Sequence, residues 1–176
     1  VGKSESEKTM STFDACFERL IGHEGGYTDN PKDPGNSTGG RVGAGQLNGT
    51  KYGIAANTYP DEDIKNITLE RAKELYRRDY WSRIRADDMP VEIRYPLFDA
   101  AVNSGPVQAT KWLQRAIGVA ADGVIGPKTM AAVQAFDAGK LRSAMLAQRL
   151  LFMTNLPAWQ TFGRGWARRI ADLMIA

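Results

Sequence analysis

From Tyr27 to Tyr59 the chain is dense in glycine, proline, asparagine, aspartate and threonine, and helical periodicity runs up to this stretch and resumes after it. Inside a helix, glycine costs about 1 kcal/mol and proline about 3 kcal/mol relative to alanine. The stretch therefore reads as a turn-rich excursion with one or two small hairpins, its short extended segments lying around Arg41-Val42-Gly43 and Gln46-Leu47. Loops of this length with little regular structure are commonly functional. The expected fold class is mainly α, one domain with a small β-hairpin region in its first half.

The helices are read from spacing and caps. Ser11 with Asp14 forms a capping-box pattern, and Phe13, Cys16, Phe17, Leu20 and Ile21 then share one face. Gly25-Gly26 supplies residues able to adopt positive φ and is expected to stop this helix, placing Glu24 in or just after its last turn. Thr68 caps the next helix, with Leu69, Ala72, Leu75, Tyr76 and Tyr80 inward and Trp81 at the edge. Pro96 to Val102 is nearly all apolar and marks the centre of the core. Pro106 opens another helix that ends at Gly118, and Asp122 to Pro127 is a turn. A helix from Thr129 to Phe136 is expected to halt at Gly139. Two longer ones follow, the last placing Trp159, Phe162, Trp166, Ile170, Leu173 and Met174 on one face as core.

Composition excludes several classes. With 176 residues, 43% hydrophobic and 24% charged, the chain matches a globular domain, and no apolar run approaches the roughly 20 residues that span a bilayer. The single cysteine, Cys16, allows no internal disulfide and lies on an apolar helix face, the place of a buried small hydrophobe. Gly39-Gly40 and Gly43 lack the Gly-Lys-Ser/Thr ending of a phosphate loop. No His/Cys cluster or calcium-loop pattern predicts a metal, and no cofactor is expected. Net charge is +3. The excess gathers after Lys140, where Arg164, Arg168 and Arg169 favour a polyanionic surface.

Two carboxylates stand out, one just before the excursion and one inside it. Glu24, at a helix carboxy end, faces the negative end of the dipole, which raises a carboxyl pKa and suits a general acid. Asp33 lies among turn amides and beside Lys32, surroundings suited to an ionised partner. Glycoside hydrolysis needs such a pair, and its carboxyl separation distinguishes inversion from retention. Tyr27, Tyr52, Asn103 and Gln114 are the expected substrate-binding residues, because sugars take aromatic faces and amide hydrogen bonds.

At Glu24-Gly25-Gly26-Tyr27, Asp33-Pro34-Gly35 and Thr50-Lys51-Tyr52-Gly53-Ile54 the chain resembles the Glu-Gly-Gly-Tyr family of phage-type N-acetylmuramidases, glycoside hydrolase family 108. Phe98-Asp99-Ala100-Ala101-Val102-Asn103-Ser104-Gly105-Pro106, Trp112-Leu113-Gln114 and Asp122-Gly123-Val124-Ile125-Gly126-Pro127-Lys128-Thr129 resemble its peptidoglycan-binding-like half. The resemblance implies a lysozyme-like fold that cleaves the β-1,4 bond between N-acetylmuramic acid and N-acetylglucosamine, with Glu24 as catalytic acid. The Glu24-to-Asp33 interval is similar to that of small phage lysozymes, in which a threonine follows six residues later. That position here is Gly39, so the resemblance assigns the hydroxyl to Thr50, with Thr38 as the alternative.

The expected organisation is a polar tail over 1–10, with Met10 as natural start, and a lysozyme-like catalytic domain over 11–176. Its catalytic half is 11–95 and its peptidoglycan-binding-like half 96–176. The partner implied is bacterial peptidoglycan, met by a monomer made in the host cytoplasm and acting at the cell wall in the periplasm, as a phage endolysin would; no signal peptide and no nucleic-acid partner are read. Lytic transglycosylase and non-catalytic wall-binding module are the alternatives.

Overall fold

Caps and turn residues close to each element decide where the helices begin and stop. Helix α1 (Phe13–Ile21) starts where the Thr12 hydroxyl accepts a hydrogen bond from the Ala15 amide at 3.4 Å, while Ser11 lies outside the described residues. Gly22, at φ +61, ends it, so the stop comes before Gly25-Gly26. The computed structural model describes residues 12–22 and 26–175. His23, Glu24 and the tail over 1–10 are outside that range.

A two-stranded antiparallel hairpin, β1 (Thr50–Lys51) and β2 (Ile54–Ala55), pairs Thr50 with Ala55 and Lys51 with Ile54. Helix α2 (Leu69–Tyr76) opens with the Thr68 hydroxyl accepting from the Arg71 amide at 3.1 Å. A π turn, Arg77–Trp81, extends it. Trp81 is fully buried there, because the wider turn rotates it inward from the edge that ideal α periodicity assigns. Then come α3 (Val91–Ser104), α4 (Pro106–Ala116), α5 (Pro127–Ala135), α6 (Ala138–Thr154) and α7 (Trp159–Ile175). The described residues are thus mainly α with one small hairpin in the first half. None of their helices is long and apolar enough to cross a membrane.

The chain forms two compact units. One is Phe17–Arg77, and the other joins the segment up to Cys16 with the chain from Arg78 onward. In the first, Phe17 meets Tyr76 edge-on at 5.2 Å, and Ile54, Ile64, Ile67 and Leu75 are buried. Arg71 holds Glu62 in a two-pronged bond at 2.6 and 3.2 Å and reaches Glu74 at 2.9 Å, contacts that raise its pKa further above the ordinary arginine value.

In the second unit Phe13, Trp81 and Phe98 pack edge to face at 5.3 to 6.1 Å. Each buried ring contributes about 1.5–3 kcal/mol. As expected, α3 is the centre: Ile93, Leu97, Phe98, Ala100 and Ala101 are all buried. Asp99 is buried with them, accepting from Arg149 Nη1 at 2.5 Å through one oxygen and from Arg169 Nε at 2.8 Å and Nη2 through the other. Burial works to lower the Arg169 pKa, but the Asp99 hydrogen bond and charge outweigh it and the net shift is upward. Arg164 and Arg168 are exposed, whereas Arg169 is committed to Asp99, so the three do not form one free cationic face.

Two further expectations change. Asp137 ends the α5 region by capping α6 through Lys140 N at 2.8 Å, so Gly139 lies inside α6 and not at a stop. Of the final helix only Gly163, Ile170 and Leu173 are buried. Phe162 is 57% exposed, and Trp159 and Trp166 are half-buried, their rings 6.2 Å apart. These aromatics make a surface ladder because Gly163 leaves room for the Trp159 ring, which a side chain at that position would strike at 2.7 Å.

Candidate active site

The Thr50-Lys51-Tyr52-Gly53-Ile54 motif is a tight hairpin. Tyr52 at φ +51 and Gly53 at φ +73 are its two central residues, the left-handed pair that two-residue hairpin loops require. Gly53 is required twice over, since a Cβ there would stand 2.2 Å from the Tyr76 hydroxyl oxygen. The half-buried Tyr52 ring carries Lys51 Nζ at 5.3 Å from its centroid, and Lys51 also donates to the Lys65 carbonyl at 3.2 Å.

Tyr27 comes to the base of this hairpin. The next residue, Thr28, exchanges backbone hydrogen bonds with Thr50 at 2.8 and 2.9 Å, and the Tyr27 ring covers Gly49 so closely that a Cβ would meet it at 2.6 Å. The tyrosine of the Glu-Gly-Gly-Tyr motif thus fixes the strand that carries Thr50.

Asp33 caps a single 3-10 turn, Pro34–Asn36, its Oδ1 accepting from the Gly35 amide at 2.8 Å, and the carboxylate is exposed. Asn36, at the end of that turn, is completely buried. Its backbone amide donates to the Asp33 carbonyl at 3.1 Å, and its carbonyl accepts from the amides of Asn48 and Gly49, each at 3.0 Å. Its side-chain Nδ2 donates to the Asn30 carbonyl at 3.0 Å, and its Oδ1 accepts from Thr50 Oγ1 at 2.7 Å. One side chain therefore ties the Asp33 turn to the Thr50 strand.

Between Asn36 and Gly49 the excursion folds on itself. Ser37 bridges Leu47, the Thr38 amide donates to the Gln46 carbonyl at 2.9 Å, and the Gly39 amide donates to Ala44 at 3.1 Å. Thr38 Oγ1 accepts from the Gln46 amide at 2.9 Å. The extended expectation around Gln46-Leu47 is met by this ladder, while Arg41, Val42 and Gly43 form its exposed turn.

The structure thus gathers Tyr27, Asp33, Thr50 and Tyr52 within one unit. Glu24, expected beside them, lies outside the described residues, as does His23. Asn103 and Gln114 belong to the other unit. Asn103 is exposed and turns Nδ2 back to the Asp99 carbonyl at 2.8 Å. Gln114 is only 1% exposed and its amide is fully engaged. Nε2 donates to Asp122 Oδ1 at 2.7 Å, the Val124 carbonyl at 3.0 Å and Thr129 Oγ1 at 3.2 Å, while Oε1 accepts from the Gly123 amide at 2.8 Å. In place of the substrate contact expected of it, Gln114 locks the Asp122 to Thr129 turn. The Asp122 pKa is lowered, first by the Val124 amide and then by Gln114.

Asn36, Gly49 and Tyr76 were not marked as site residues by the sequence. Asn36 and Gly49 sit in a segment whose composition signals only turns, and Tyr76 reads as plain core. Among the described residues no group of three or more His, Cys, Asp or Glu is placed to hold a metal ion.

The described residues are mainly α, with a glycine-built hairpin in the first half and helices throughout the second. The chain belongs to the glycosyl hydrolase 108 family, whose pattern matches residues 17–105. A predicted peptidoglycan domain matches residues 108–171. The two meet at the Gly105 break between α3 and α4. A solved structure described as that of Brucella abortus SagA is similar to the chain, with 34% identity and a TM-score of 0.77, over 92% of this chain and 91% of that one. No curated protein matches. At family level the chain is a glycoside hydrolase, and its second match makes peptidoglycan the polymer it addresses.

Proposed function

We propose that the chain is an N-acetylmuramidase that hydrolyses the β-1,4 bond between N-acetylmuramic acid and N-acetylglucosamine, as a phage or prophage endolysin acting on the wall from the periplasmic side. The observation that carries this reading is the junction of the Asp33 turn and the Thr50 strand through Asn36, in a chain of a glycoside hydrolase family. Glu24 gives its proton to the leaving O4 as the C1–O4 bond breaks. A water oxygen bonds to C1 and its proton passes to the Asp33 carboxylate. Tyr27 and Tyr52 offer ring faces to the sugar, and in the other unit Arg164 and Arg168 attract the anionic wall as a monomer approaches.

The deciding experiment is mass analysis of products from purified peptidoglycan. Reducing muramic ends support hydrolysis, anhydro ends would assign a transglycosylase, and binding without release would assign a wall-binding module. Glu24→Gln should lower turnover by at least ~10²-fold with an unchanged melting temperature, since general acid catalysis contributes 10²–10⁴-fold. Substantial turnover by that variant would refute the role of Glu24.

A further inference from the structure

We infer that Asn36 is a positioning residue that makes the Thr50 hydroxyl a hydrogen-bond acceptor, and that the donor it accepts from is the attacking water. The inference rests on the hydrolase reading above. The Asn30 carbonyl that faces the Asn36 side chain can only accept, so the group turned toward it must be Nδ2, at 3.0 Å. Oδ1 then faces Thr50, and with an acceptor 2.7 Å away the Thr50 hydroxyl must donate its single hydrogen to it. What Thr50 offers to anything else is lone pairs.

Neither partner can turn to escape this arrangement. The Asn36 main chain is held by Asp33, Asn48 and Gly49, and Thr50 is held on both backbone sides by Thr28. Asn36 is fully buried, so no solvent competes for its amide, while Thr50 is half-buried. Thr38 is not held to one polarity. Its oxygen accepts from the Gln46 amide and its hydrogen remains to donate. A water about to attack C1 needs acceptors for both its hydrogens, one on the base and one to fix its orientation. Thr50, its one hydrogen already given to Asn36, is held to that acceptor role, with Asp33 as the proposed base. Hydrogen-bond direction thus favours Thr50 over Thr38, which keeps both a hydrogen and a lone pair.

The test compares Asn36→Asp, Thr50→Val and the double variant, reading turnover of soluble glycan fragments together with thermal unfolding. Thr50→Val should lower kcat about a hundredfold with KM little changed, the size expected when a reactant loses its placement. Asn36→Asp at neutral pH sets a carboxylate oxygen against the Asn30 carbonyl and should lower kcat at least ~10-fold. Its turnover relative to wild type should rise as pH falls, because a protonated carboxyl donates to Asn30 and accepts from Thr50 as the amide does. In the Thr50→Val background Asn36→Asp should have no further effect on kcat, whereas its effect on melting should persist. Additive losses in kcat, or no acid rescue, would make Asn36 a purely structural residue. Should Asn36→Asp unfold at neutral pH, the comparison is run at acid pH and Thr50→Val decides alone, wild-type kcat refuting the inference. Turnover retained by Glu24→Gln would instead overturn the hydrolase reading, which separates the two failures.

Discussion

The unit Phe17–Arg77 and the helical unit are ordered by different forces. The helical unit has a large apolar interior in which Trp81, Phe98, Trp112 and Leu113 are wholly buried, and its principal buried polar group is Asp99 with its arginines. Between Tyr27 and Gly53 order comes instead from backbone turns, closely approached glycines and the Asn36 hydrogen bonds. Apolar burial tolerates swaps of similar volume. A hydrogen-bonded turn tolerates little, because a missing partner leaves a buried polar group unsatisfied at about 1–3 kcal/mol. The contrast predicts that stability can be lost in the helical unit with activity per folded molecule intact, whereas a lost hydrogen-bond partner in the site unit costs both.

The largest effect on stability should come from Asp99→Ala. It strands the fully buried Arg149 without a counter-charge, and breaking such a pair costs about 3–5 kcal/mol. Arg169→Ala should cost less, since its side chain is 43% exposed. Chemical denaturation gives both values, and a loss of specific activity in the folded fraction of Asp99→Ala would break the proposed separation.

Gly53→Ala comes next. It forces a Cβ onto a left-handed residue and 2.2 Å from the Tyr76 hydroxyl, a strain of about 1–3 kcal/mol. Tyr76→Phe in the same chain removes the struck atom and should recover part of the loss. No recovery in thermal melts would show the cost to be conformational alone.

A smaller effect depends on pH. The Asp122 pKa is lowered in the folded state, so its contribution to stability is fully present above the unfolded value of ~3.9 and is lost as pH falls through the lower folded one. The melting deficit of Asp122→Ala should therefore be constant near neutrality and close below about pH 3.9. A deficit unchanged down to pH 2 would mean that the turn relies on Gln114 and Thr129 and not on the charge.

Legibility in the sequence follows the distance between partners. Thr68, Pro106 and Gly118 are readable because each acts within a turn of its own position, and the apolar run around Leu97 is readable as the core. Asp99 reads as an anomaly in that run, since its arginines lie 50 and 70 residues away. Thr50 is marked by its motif, but Asn36, which directs its hydrogen, stands 14 residues before it among turn residues of no distinctive type. The end of α1 at Gly22 escapes for a different reason: Gly22, Gly25 and Gly26 stand within five residues, and each is a residue type able to take the left-handed φ of a helix stop.

The smallest expected change in stability comes from Tyr52→Asn, which probes the hairpin without touching its hydrogen bonds. Asparagine adopts positive φ more readily than tyrosine, and Asn-Gly is the favoured pair for this loop, so up to about 1 kcal/mol of strain is relieved. Against that, the contact of Lys51 Nζ with the Tyr52 ring is lost, a contribution of about 0.5–1 kcal/mol at a partly exposed site. The two nearly cancel, and the melting temperature should move by no more than about 3 °C in either direction. With the half-buried ring as the proposed surface for the sugar, activity on peptidoglycan should nonetheless fall, since a short amide cannot replace its face. Raised KM with unchanged kcat would mark Tyr52 as a binding residue. Wild-type kinetics would return the ring to a purely local task, shielding the hairpin and seating Lys51, and would leave Tyr27 as the aromatic contact of the site.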